Sequence, residues 1–139
     1  MSFADTIENI AGRAGLQVMK KNNEFVTCFM SLPGGRKQIV FLHPAGDLGD
    51  HPVVNISTVI RELPDGFLPS KVADGLLTAN QGFKLGSFGI LKQGDKRLLV
   101  FAHNMILDRL EPDELALVIV VLAKTGDEWE AKLGGADRY

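Results

Sequence analysis

Apolar residues recur along this chain in two rhythms, one helical and one extended, and the switches between them outline the fold. Between Asp5 and Ala14, residues Ile7, Ile10, Ala11 and Ala14 fall at i, i+3, i+4 and i+7, the stripe of a short amphipathic helix. Asp5 is expected to cap its N-terminus, with Glu8 completing a capping box and Gly15 acting as the stop. From Glu24 the texture turns β-branched and aromatic, predicting strands over Phe25 to Leu32, Gln38 to His43 and Pro52 to Leu63. Pro33-Gly34-Gly35 reads as a tight turn, and Pro44 to Asp50 as a longer loop. Neighbouring strands are expected to pair antiparallel.

Leu63-Pro64-Asp65-Gly66 closes this segment. Pro69 then opens a second helix in which Val72, Ala73, Leu76, Leu77 and Asn80 share a face, and Gly82 ends it. Phe83 to Leu91 and Arg97 to Ile106 follow as strands joined across Gln93-Gly94-Asp95, with Gly86 and Gly89 weakening the first or marking a bulge. Val118 to Val121 has strand propensity, yet the segment reads as helix. Pro112 suits a first helical position, Asp113 and Glu114 suit a helix N-terminus, and Leu110 is placed to staple to Leu115. Leu115, Ile119, Leu122, Trp129 and Leu133 then lie close to one helical face, with Gly126 as a point of bending. No repeat or long linker divides residues 1–139, and only the tail from Gly134 to Tyr139 looks detachable. The expectation is one α+β domain in the order α-β-β-β-α-β-β-α, with a five-stranded, largely antiparallel sheet packed by helices.

This order resembles the domain shared by type III secretion chaperones and the YbjN-like proteins. The likeness covers nearly the whole chain. It is carried locally by Leu76-Leu77-Thr78-Ala79-Asn80 running into Gly82-Phe83-Lys84-Leu85-Gly86-Ser87-Phe88, and by Glu111-Pro112-Asp113-Glu114-Leu115 leading to a helix that ends near Trp129-Glu130-Ala131-Lys132-Leu133. Neither piece is a catalytic motif, so the resemblance speaks to fold more than to activity. It implies a module that binds other polypeptides, commonly as a homodimer and without a cofactor. The near-balanced charge is closer to the YbjN-like side than to the distinctly acidic secretion chaperones.

Composition narrows the function by exclusion. The 139 residues carry 15 basic and 17 acidic side chains, a net −2 with the three His neutral, and 45% apolar against 23% charged residues is an ordinary globular balance. Cys28 is the only cysteine, which rules out an intrachain disulfide. The longest apolar run, Leu115 to Ala123, is nine residues, and the first residues lack a basic, apolar leader, so a cytoplasmic protein without a membrane span is expected. Neither G-x-G-x-x-G nor G-x-x-x-x-G-K-[ST] occurs, so no nucleotide cofactor is expected. Lys20-Lys21, Arg36-Lys37 and Lys92, Lys96, Arg97 lack interleaved aromatics and read as strand-edge lysines and arginines, not as a nucleic-acid surface.

The only cluster with metal-ligand residue types is His43, Asp47, Asp50 and His51, whose plainer reading is a polar hairpin loop. His103 is expected to be a partly buried, hydrogen-bonded strand residue, and Cys28 a buried inert thiol. No catalytic, cofactor or metal residue is assigned. The sequence is therefore read as a non-enzymatic, protein-binding or chaperone-like module that forms a homodimer. The alternatives are a small metal-binding domain or enzyme using the His43 to His51 loop, or a purely structural homodimer.

Overall fold

The alternating segments assemble into one antiparallel sheet in a computed structural model, which describes residues 1–64 and 66–135. In chain order the elements are α1 (Phe3–Arg13), β1 (Met19–Asn22), β2 (Phe25–Ser31), β3 (Lys37–Leu48), β4 (His51–Glu62), α2 (Ser70–Asn80), β5 (Ser87–Gln93), β6 (Lys96–Ile106) and α3 (Pro112–Gly135). Short 3-10 turns occupy Pro33–Gly35 and Leu107–Arg109. Among the described residues the sheet has six strands in the order β1-β2-β3-β4-β6-β5, and every neighbouring pair is antiparallel. Asp65 of the turn and the tail beyond residue 135 lie outside the described residues.

The α+β class and the three helices agree with the sequence, whereas the five-strand count is corrected to six. The added strand, β1, is Met-Lys-Lys-Asn with every residue exposed, so it carries no alternation to read. It exists because it pairs with β2 and because Lys20 Nζ lies 2.8 Å from Asp5 Oδ1 on α1. The helix cap also shifts. Ser2, not Asp5, is the N-cap: Ser2 Oγ accepts the Asp5 N–H at 3.1 Å, and Asp5 Oδ2 accepts the Ser2 N–H at 3.4 Å. Pro69, expected at the first helical position of α2, is likewise shifted and serves as its N-cap.

The expected loop from Pro44 to Asp50 is mostly strand. β3 runs on to Leu48, pairs Pro44 with Val54 and Leu48 with His51, and absorbs an irregularity between Pro44 and Asp47. Proline is tolerated there because β2 pairs with β3 only as far as Leu42, so the missing N–H falls where no neighbouring strand needs it. β5 begins four residues later than expected, at Ser87. Gly86 holds φ at +85°, and a Cβ there would lie 2.5 Å from Phe101 Cε2, so the backbone turns where only glycine fits.

The helices cover one face of the sheet. Val26, Cys28, Val40, Leu42, Ile56, Leu99 and Phe101 turn toward them and meet Leu115, Ile119 and Leu122 of α3 and Ile7 and Ala11 of α1, all essentially without solvent exposure. Val118 to Val121 is helical because burial on this face outweighs β-propensity. α3 approaches so closely that a Cβ at Gly126 would lie 2.5 Å from Thr58 Cγ2. At that crossing Gln38 Nε2 donates to Thr58 Oγ1 at 2.8 Å, and Thr58 Oγ1 donates to the Ile39 carbonyl at 2.7 Å. Phe83, Phe88, Phe101 and Trp129 close one end of the core edge to face. No helix of the described residues is long and apolar enough to cross a membrane.

Candidate binding trough on the open sheet face

Strand geometry sends alternate residues to opposite faces, so the partners of the core residues define a second surface. On β2, β3, β4, β6 and β5 these are Phe25 and Phe29; Ile39, Phe41 and His43; Asn55, Ser57 and Val59; Leu98, Val100, Ala102 and Asn104; and Ser87, Gly89 and Leu91. Among the described residues no helix lies over this face, although Glu130 of α3 reaches its rim beside Ile39, Phe41 and Val59. It is nevertheless largely apolar: Phe29 is 53% and Leu91 40% exposed.

The face is a trough. Its floor is built from small residues, with Ser57 opposite Ala102 and Gly89 opposite Val100. Its walls are large, and Phe25 stacks on Phe41 with ring centroids 5.7 Å apart and planes 18° from parallel. Phe25 on β2 and Leu91 on β5 line one depression of about 140 Å³ with Phe41, Val59 and Leu98. In a flat sheet strands four places apart would stand about 19 Å from each other, so the sheet curls toward this side. A shallower depression of about 230 Å³ continues over Ser57, Ala102 and Asn104. A third, about 360 Å³, ends the trough among Asn55, Lys84, Ser87, His103 and Asn104.

That last depression is a notch left by β5. Pairing between β5 and β6 stops at Ser87 opposite Ala102, so Asn104 has no β5 residue beside it. Phe88 turns its N–H and C=O outward, because Asn80 Oδ1 accepts its N–H at 2.7 Å and Asn80 Nδ2 donates to its carbonyl at 3.4 Å. Alternation then points the main chain of Ser87 at β6, of Ala102 at β5, and of Asn104 into the notch. Asn80 occupies the edge of β5 at Phe88 as a neighbouring strand would, leaving Ile90 and Lys92 as the outward-facing edge residues.

The individual candidates fall as follows. His43 lies in the trough wall; its Nδ1 is buried without a hydrogen-bond partner in the structure, and burial pushes its pKa down. His51 is elsewhere, with Nδ1 3.0 Å from Asp108 Oδ2 and Nε2 3.4 Å from Arg109 Nη2. Asp47 pairs across the hairpin with Pro52. The four residues of the supposed metal loop are therefore spread along a strand hairpin, and among the described residues no three His, Cys, Asp or Glu side chains are grouped to hold a metal ion. His103 is half-buried, its Nδ1 accepts the Gly86 N–H at 3.2 Å, and burial lowers its pKa. Cys28 is buried in the core, where burial pushes its thiol pKa up and its Sγ lies 3.5 Å from the Gln17 carbonyl.

Several of the basic residues are held by the fold itself. Lys20 pairs with Asp5, Arg36 with Asp127 at 2.8 Å and Lys96 with Glu62 at 3.6 Å, while Arg97 donates to the Gly66 carbonyl at 2.6 Å and covers the Phe67 ring. Sequence reasoning missed Asn55, Asn80, Asn104, Ser57 and Lys84. One signal was present: in β2 and β3 both phases of the alternation are apolar, Phe25 and Phe29 against Val26 and Cys28, which is the pattern of a sheet apolar on both sides. No protein-family model matches the chain, and no curated protein matches it.

Proposed function

We propose that this protein is a non-enzymatic binding module that takes an extended segment of another polypeptide into the trough. The observation that supports the reading is a concave apolar face opposite the helix layer. Exposed apolar patches of this kind are kept where a partner covers them. The occupant is argued to be polypeptide because the depressions are shallow and joined end to end. A small-molecule site would enclose most of its ligand in about 300–1,000 Å³ with few openings. An extended segment presents side chains at two-residue spacing, which suits a row of shallow depressions along and across strands.

The same reading covers the homodimer expected from the sequence, since a second copy is the other body that this face admits. The direct test displays a library of nine-residue peptides, measures the selected ones in solution and maps them by amide chemical shifts. Selected peptides are expected to move resonances of Phe41, Ser57, Leu91 and Ala102, and Ala102→Trp, which fills the floor, to weaken binding at least tenfold. Shifts confined to the helix side, or an Ala102→Trp protein that binds equally well, would overturn the proposal. Sedimentation equilibrium of the same two proteins assigns the face to self-association if only Ala102→Trp makes a dimer monomeric.

A further inference from the structure

The polar end of the trough has an unbalanced set of hydrogen-bonding groups. Asn104 Oδ1 accepts from Asn55 Nδ2 at 2.8 Å, which leaves the Asn104 amide with its NH₂ donors. His103 lines the notch from the helix side of β6, where its Nδ1 accepts from Gly86 N–H, so its ring proton resides on Nε2, a donor. Ser87 adds a hydroxyl and Lys84 an exposed ammonium, and among the described residues no carboxylate lines this notch; Glu130 lies at the other end of the face, beside Ile39, Phe41 and Val59. Side-chain donors thus outnumber the one remaining amide acceptor, Asn55 Oδ1, around Lys84, the single full charge among the described lining residues.

We propose that this notch is a carboxylate subsite, and that it holds the side chain of an acidic residue in the bound segment. The inference rests on the polypeptide reading above and adds what the polypeptide must carry. One cation matches one negative charge, whereas phosphate recognition would call for clustered arginines or a helix N-terminus. An acidic side chain is favoured over a chain terminus because of Asn104. Its main chain turns both a donor and an acceptor into the notch, which suits a strand that continues past it. The apolar residues of the segment then lie over Phe41, Leu91 and Leu98, and its acidic residue reaches Lys84 and His103.

The test uses N-acetylated, C-amidated nine-residue peptides with leucine at alternate positions and, near one end, glutamate, glutamine or phosphoserine. A fourth peptide has no acidic residue but a free C-terminal carboxylate. By fluorescence anisotropy the glutamate peptide is expected to bind at least tenfold more tightly than the glutamine one. That advantage should vanish in Lys84→Met, an exposed position, and shrink several-fold between 50 and 500 mM salt as screening grows, by roughly the Debye argument. Equal binding of the glutamate and glutamine peptides overturns the subsite and leaves the polypeptide reading standing. Preference for phosphoserine or for the free terminus overturns the assignment to an acidic side chain.

A second probe is independent of the apolar trough. Acetyl-glutamate N-methylamide, titrated to tens of millimolar, should shift the His103 Nε2 resonance and the Ser87 and Asn104 amides saturably, and its glutamine analogue should not. If this probe binds while no peptide does, the polypeptide reading fails and the subsite stands. Absence of any saturable shift overturns the subsite.

Discussion

The two faces of the sheet are made by the same strands, and they have opposite fates. On one, Val40, Leu42, Ile56 and Phe101 are sealed beneath α1 and α3; on the other, Ile39, Phe41, Val59 and Leu98 are only half-buried. Apolar character alone does not separate them. What differs is relief: the covered face ends in large side chains that interlock with a helix, and the open face has a small floor between aromatic walls. A core is made by complementary packing, and a groove remains where small residues leave no ridge for a helix to grip.

This contrast is sharpest in stability. Phe101→Ala is expected to cost about 3–5 kcal/mol, since it removes the central ring of the aromatic cluster and leaves a cavity. Phe41→Ala, on the open face, should cost about 1 kcal/mol because its ring is already partly in water. Urea denaturation of both variants checks the pair, and equal losses would mean that the open face is structural core. A glycine pair makes the same comparison in the opposite direction. Gly126→Ala drives a Cβ against Thr58 and should cost about 1–3 kcal/mol. Gly89→Ala meets nothing within 4 Å and should leave the melting temperature almost unmoved.

The edge of β5 provides a smaller effect with a distinct signature. Asn80→Ala strips both hydrogen bonds from the Phe88 main chain and should cost about 1–2 kcal/mol. It also lengthens the exposed strand edge, so light scattering should show association that grows with protein concentration. The smallest expected effect is a pH dependence. His43 and His103 both have pKa values lowered below the ordinary 6.5 by burial, so the unfolded chain binds more protons than the folded one just below that pH. Stability is therefore full above 6.5 and declines as the pH falls through the window beneath it, by less than about 1 kcal/mol per residue after solvent screening. Urea midpoints at pH 7.5 and 5.5 measure the decline, and His43→Phe should flatten it.

Local patterns determined much of this protein. The helical spacing of Ile7, Ile10 and Ala11, the Pro112-Asp113-Glu114 start and the alternation in β3 and β6 each name an element correctly, because backbone periodicity and end chemistry act over a few residues. Both-phase hydrophobicity in β2 even records that the sheet is apolar on two sides. Only the tertiary structure decided the rest. β1 has no pattern of its own and is a strand because β2 and Asp5 hold it; Pro44 sits in a strand because β2 stops beside it. The metal-ligand types around His43 and His51 are near in sequence yet parted by the hairpin, while Asp108 meets His51 from 57 residues away. Which apolar face the helices would cover, and which would stay open above Ser57, Ala102 and Gly89, depended on how side chains of different size fit together across strands distant in sequence. That fit is a property of the packed surface, and no single segment contains it.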